Sequence, residues 1–197
     1  MPLASFRDRT SGVLRCFAVA ALIALAIGMR VPPSADAEAI ARAAAARCHA
    51  HKVTSKVRRF TRAVLCMHNF ERRAHGLRRL RASRTLHRAA LRHARDMVRK
   101  HYFDHVSFGG RTVIDRVARA GYGGRRYSAG ENLFYGMPPR PTPARVVAAW
   151  MASAVHRHEL LNPAWRDLGV GTIMRPPFGG RGGITVVAVF GARGARR

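Results

Sequence analysis

A chain of 197 residues, 48% of them hydrophobic, is long enough to bury the core of one domain and too short for two comfortable ones once a leader is subtracted. Its formal net charge of +26 is almost all arginine, with Lys52, Lys56 and Lys100 as its lysines; such a charge binds polyanions without regard to sequence, whether nucleic acid, anionic wall polymer or a membrane surface. The arginines are spread along the chain, which points to biased arginine usage and argues against sequence-specific nucleic-acid recognition.

Residues 1–37 read as an export signal: Arg7, Arg9 and Arg15 precede a mostly apolar run from Cys16 to Met29, followed by Pro32, Pro33 and Ala35-Asp36-Ala37. The run is shorter than the roughly twenty apolar residues of a membrane span. Cleavage near Glu38 is therefore expected, with retention as an anchor the alternative, and the protein reads as a secreted or cell-wall-associated monomer. Cys16 leaves with the signal, so Cys48 and Cys66 remain as an even pair in an oxidising compartment and are expected to form a disulfide. Two cysteines without close paired spacing make no zinc site of their own.

Residues 38–59 form an Ala/Arg-rich lead-in whose apolar side is only alanine and Ile40, so it is expected to be loosely attached. From Val53 to His75, Val57, Phe60, Val64, Leu65 and Met67 fall near helical spacing, and Gly76 stands where a left-handed C-terminal cap belongs. Ser83 is suited to cap a second, strongly amphipathic helix carrying Leu86, Ala90, Met97 and Val98 on one face. A short third helix holds Val113, Ile114, Val117 and Ala118 and ends at Gly121.

Asn132 to Tyr135 reads as a short strand, and Met137 to Pro143 as a Pro-rich loop. Thr142-Pro143 then starts a fourth helix, because Thr caps and Pro at the first helical position has no N–H to leave unpaired. That helix is expected to run to about Leu161 and to stop at Asn162-Pro163. Two β-branched-rich runs, Leu168–Met174 and Ile184–Phe190, joined by a Gly/Pro-rich loop, read as a hairpin. Helices first and strands last indicate an α+β domain.

Several short segments, weak singly and specific in their order and spacing, stand between residues 60 and 191: Asn69-x-x-Arg72-x-x-x-Gly76-Leu77; His93-Ala94-x-Asp96-Met97; Tyr102-Phe103-Asp104-His105-Val106-Ser107; Gly130-Glu131-Asn132-Leu133; Val147-x-x-Trp150-Met151-x-Ser153; His156-Arg157-x-x-x-Leu161; and Leu168-Gly169-Val170-Gly171. In these the chain resembles the CAP superfamily, also called the SCP domain, shared by cysteine-rich secretory proteins, antigen-five allergens and plant pathogenesis-related proteins. The resemblance implies a three-layer α-β-α sandwich with a small antiparallel sheet between helices over residues 60–191, leaving residues 192–197 as a basic tail. It also implies that His105, Glu131 and His156 line a surface cavity. Larger relatives carry a second glutamate three residues after the tryptophan, where this chain has Ser153, so a mechanism needing two carboxylates lacks one of them.

Two imidazoles and one carboxylate are a suitable three-ligand set for Zn²⁺ or another divalent cation, with an open position for water or ligand. Without metal, Glu131 is placed to accept from one imidazole and fix its tautomer. Asn132, Ser153 and Arg157 are expected to support the trio, Asn132 by tying backbone together and Arg157 either by pairing with Asp96 or Asp104 or by facing solvent. His158 lies two residues from His156, about 200° around a helix, and so faces away. Ser107, Ser128 and Ser153 lack a Gly-x-Ser-x-Gly elbow. The last strand is more apolar than the family pattern, which suggests an apolar cavity wall and a lipid ligand.

Three readings follow. The first is an extracellular or cell-envelope binding module for a small molecule, lipid or cell-wall ligand, with divalent-metal binding at the trio. The second is a metal-assisted hydrolase of peptide, glycan or lipid ester, and the third an extracellular scaffold that holds anionic polymer through its arginines.

Overall fold

In the computed structural model, which describes residues 35–194 apart from Arg125, a four-stranded sheet lies between two sets of helices. The expected export segment up to residue 34 and the last three residues of the basic tail fall outside the described residues. Six helices are described: α1 (Ala35–Arg47), α2 (Val57–Ala74), α3 (Arg84–Lys100), α4 (Val113–Arg119), α5 (Pro143–Ala152) and α6 (Ala154–Leu161). The strands are β1 (Arg81–Ala82), β2 (Tyr127–Gly136), β3 (Asp167–Ile173) and β4 (Ile184–Arg193). Their order across the sheet is β1-β3-β4-β2, antiparallel except for the short parallel pair β1–β3.

The strand β4 shows why the architecture has three layers. Val186, Ala188 and Phe190 belong to a core shared with α1, α2, α5 and α6, whereas Val187 and Val189 belong to a second core under α3 and α4. Alternate side chains of one strand thus enter two cores. A strand covered on both faces carries an unbroken apolar run, which corrects the expectation of a ligand-facing apolar wall: these side chains are interior packing, with Ile184 through Val187 fully buried. The sheet lies against α3 so closely that a Cβ at Gly169 would run into the backbone of Leu86 and His87, and one at Gly171 into that of Leu91. The Leu168-Gly169-Val170-Gly171 segment is glycine-rich because a helix backbone occupies that space.

The helix ends follow local chemistry. Ser83 accepts from the Leu86 amide at 3.3 Å, and Thr142 from the Arg145 amide at 3.3 Å with Pro143 in the first turn. Thr112 and Asp115 form a reciprocal capping box at the start of α4. The sheet-side motif Asn69-x-x-Arg72 acts as a clamp. Asn69 exchanges two hydrogen bonds with Leu80, and the fully buried Arg72 guanidinium donates to the carbonyls of Leu160 and Asn162 at the C-terminal end of α6, where the helix dipole favours a cation.

Three expectations are corrected. The lead-in is not loose: α1 and the turn after it bury Ala44, Ala45, Cys48 and Ala50, and the Ala50 carbonyl accepts from the Ala144 amide at 3.1 Å. Small side chains let the backbone come close, and the Cys48–Cys66 disulfide, 5.6 Å between Cα atoms, ties the segment to α2. The fourth helix is two helices, because Ser153 takes an extended conformation (φ −97°, ψ 125°) between α5 and α6. The strand expected from Asn132 is longer and begins at Tyr127. Among the described residues no helix is long and apolar enough to cross a membrane.

Candidate functional site

Strand β2 is an edge strand, and its alternation distributes the Gly130-Glu131-Asn132-Leu133 segment over both faces of the sheet. Glu131 faces α4. Asn132 faces α6, where its Nδ2 donates to the His156 carbonyl at 2.8 Å. Gly130 is required at this point, because a Cβ there would collide with Glu159 and Trp165. Asn132 therefore ties backbone together from strand to helix, at the position of His156.

The Glu131 side chain is 2% exposed and held from two directions. Arg116 Nη2 donates to both of its oxygens at 2.9 Å, and His105 Nδ1–H donates to Oε1 at 3.1 Å. A buried carboxylate needs such compensation, since desolvating a lone charge is costly. His105 reaches Glu131 from the loop after α3, where Asp104 Oδ1 accepts from the Val106 amide at 2.7 Å and sets the turn. Its own side chain remains 58% exposed, so one edge of the ring is committed to Glu131 and the rest faces solvent.

Behind Glu131 lies a buried chain of hydrogen bonds. Arg116 Nη1 donates to Ser107 Oγ at 3.1 Å and to the Arg111 carbonyl at 2.7 Å. His93 Nε2–H donates to the Asp104 carbonyl at 2.9 Å, which leaves Nδ1 to accept from the Ser107 hydroxyl at 3.4 Å. His93 Nε2 also comes within 3.9 Å of Glu131 Oε1. That approach is no ion pair, because the proton is committed to Asp104 and burial lowers the affinity of the ring for a second one.

The two outer imidazoles are driven apart electrostatically. The hydrogen bond to Glu131 holds His105 above the ordinary histidine value. Partial burial, and then the charge on His105, hold His156 below it. The pair is thus biased in opposite senses, His105 toward the protonated donor and His156 toward the neutral acceptor. Ser153 sits at the α5–α6 break without a side-chain capping hydrogen bond, and Arg157 is exposed and donates to the Met151 carbonyl at 3.0 Å. Of the two alternatives for Arg157, solvent exposure is the one observed.

The donor set does not suit a divalent cation held by all three residues. Glu131 is already neutralised by Arg116, whose positive charge lies against the site, and among the described residues no group of three or more His, Cys, Asp or Glu side chains is placed to hold a metal. Three cavities open elsewhere, and none of the three is lined by His105, Glu131 or His156. Of the outer trio, His105 is exposed, His156 half-buried and Glu131 buried. Sequence reasoning missed Arg116, the residue that makes a buried Glu131 tenable. Its signal was present: Arg116 follows Val113 by three residues and precedes Ala120 by four, so it shares the inward face of α4.

Comparison with known proteins agrees with this architecture. The family model described as the cysteine-rich secretory protein family, CAP, matches residues 65–190. YkwD of Bacillus subtilis (strain 168) is 36% identical over 119 residues, 60% of this chain and 44% of YkwD. The membrane protein YlbC of the same organism is 33% identical over 108 residues, 55% of this chain and 30% of YlbC. The chain thus spans less than half the length of these two relatives. Among solved structures, an extracellular protein containing an SCP domain from Bacillus anthracis str. Ames superposes with a TM-score of 0.59 at 25% identity, covering 73% of this chain and 45% of that one. An outer surface protein from Borrelia burgdorferi superposes with a TM-score of 0.60 at 23% identity, covering 74% of this chain and 99% of that one. The matched family model, the sandwich and the disulfide together assign the chain to the cysteine-rich secretory protein, or CAP, family.

Proposed function

We propose that the protein is an extracellular binding module at the cell envelope, and that its ligand-facing edge is His105 and His156 with Glu131 behind them. The observation that carries this reading is the Glu131–His105 bond: it anchors one edge of the ring and favours its protonated form while the rest is still half in solvent. A ring biased toward the charged donor and a second biased toward the neutral acceptor suit a hydroxyl-bearing ligand, which accepts from the first and donates to the second. The glycan strands of a cell wall have this chemistry. A location outside the cell accords with the extracellular and outer-surface proteins that share the fold and with the export-like leader. A divalent cation has no part in this reading, because Arg116 already neutralises the one carboxylate of the trio.

The test is co-sedimentation with purified peptidoglycan. His105→Ala and His156→Ala are expected to weaken binding about tenfold each, the worth of one hydrogen bond to a charged or strongly oriented group. Arg58→Ser/Arg95→Ser, which removes two positive charges from elsewhere on the surface, is expected to leave it nearly unchanged. Binding that drops in the arginine variant and not in the histidine variants contradicts the proposal and favours retention by bulk charge.

A further inference from the structure

A second polar site lies behind Glu131, between α3 and α4. A cavity of about 270 Å³ opens there. Its floor is the buried trio His93, Ser107 and Arg116, and its rim is formed by the exposed Arg92, Arg111 and Arg119. One carboxylate also reaches it, Asp96, whose charge is taken by Lys100 at 3.2 Å and by the Tyr102 hydroxyl at 2.7 Å. Arg116 is committed to Glu131, but Arg92, Arg111 and Arg119 have no carboxylate within 4.0 Å among the described residues. Three guanidinium groups around one opening repel one another, and Asp96 is the one carboxylate among the residues that line it.

The floor adds an independent sign. Arg116 Nε is buried and has no hydrogen-bond partner, although its two terminal nitrogens are fully used. Buried donors in folded proteins are nearly always met; this one is closed to solvent, so it adds positive potential beneath the opening and is not itself a contact for a ligand.

We infer that this cavity is an oxyanion site, built for a phosphate group held by Arg92, Arg111 and Arg119 above Arg116. Planar guanidinium groups pair bidentately with phosphate oxygens, and the cavity accommodates one tetrahedral anion with its first waters. The phosphate belongs either to a free anion or to a phosphodiester polymer of the envelope, which present the same oxygens.

Titration calorimetry on the protein distinguishes these sources and tests the site, with inorganic phosphate as one probe and poly(glycerol phosphate) as the other. Arg92→Ser/Arg119→Ser is expected to lose at least tenfold in affinity, while Arg58→Ser/Arg95→Ser, with the same change in net charge, keeps the wild-type value. Loss on inorganic phosphate assigns a free-anion site; loss on the polymer alone assigns a phosphodiester site. Equal affinities in wild type and the Arg92/Arg119 variant, an equal loss in both variants, or no binding of either probe would overturn the inference. The rim variants leave the Glu131–His105 bond in place, so peptidoglycan retention by the outer edge is read independently.

Discussion

The two sides of Glu131 obey different physics. On the outer side His105 is largely solvated, and its bond to the carboxylate sets a protonation state more than it adds stability. On the inner side Arg116, Ser107 and His93 are buried and joined to Glu131 by a chain of hydrogen bonds. A carboxylate that faces water through one partner and the interior through another needs the interior partner to exist at all. The lesson is that the residue tuned on the exposed side and the residue that makes the buried charge tenable are separate, and they lie on separate elements.

The largest effect that sharpens this contrast is expected for Arg116→Met. It strands a buried carboxylate and is predicted to cost about 3–5 kcal/mol in denaturant unfolding. His105→Ala, on the exposed side, should cost less than about 1 kcal/mol after solvent screening. Equal costs would mean that both sides share the load.

Cys48→Ser/Cys66→Ser comes next, at about 3 kcal/mol in the chain-entropy account. The loss should show as earlier melting of the protein, because α1 contributes to the main core. An unchanged midpoint would return the segment to the status of a loose lead-in.

A comparable effect separates a buried histidine from the exposed one. His68 is fully buried, donates Nδ1–H to the Val64 carbonyl at 2.8 Å, and burial lowers its pKa from 6.5 to about 4. The unfolded chain therefore binds more protons between those values, and stability falls as pH drops from about 6.5 toward 4, by about 3 kcal/mol in all. His68→Met should flatten that part of the pH profile. His105 acts in the opposite sense and more weakly: its raised pKa gives stability that is complete below the unfolded value and is lost as pH rises through the folded one.

Much of this was legible in the residues. Ser83 and Thr142-Pro143 mark helix starts by their own hydrogen-bonding chemistry, and the final two β-branched runs pair as read. The less legible features depend on tertiary contact. Alanines in α1 carry no strong apolar signal, yet they pack because a core wall and a disulfide meet them. The extended Ser153 interrupts a run whose local preferences are helical on both sides. The apolar β4 resembled a ligand wall only because its second covering layer comes from α3, far away in sequence. Within the site, His105, Glu131 and His156 stood out by order and spacing, whereas Arg116 was hidden among arginines that face solvent.

The most direct test of the account is an NMR pH titration of the His105 and His156 imidazoles in the wild type and in Glu131→Gln, with amide dispersion confirming that the variant is folded. The account predicts that His105 titrates above 6.5 and His156 below it, and that Glu131→Gln brings His105 down. A His105 that titrates at or below 6.5 in the wild type and does not move in the variant would contradict it.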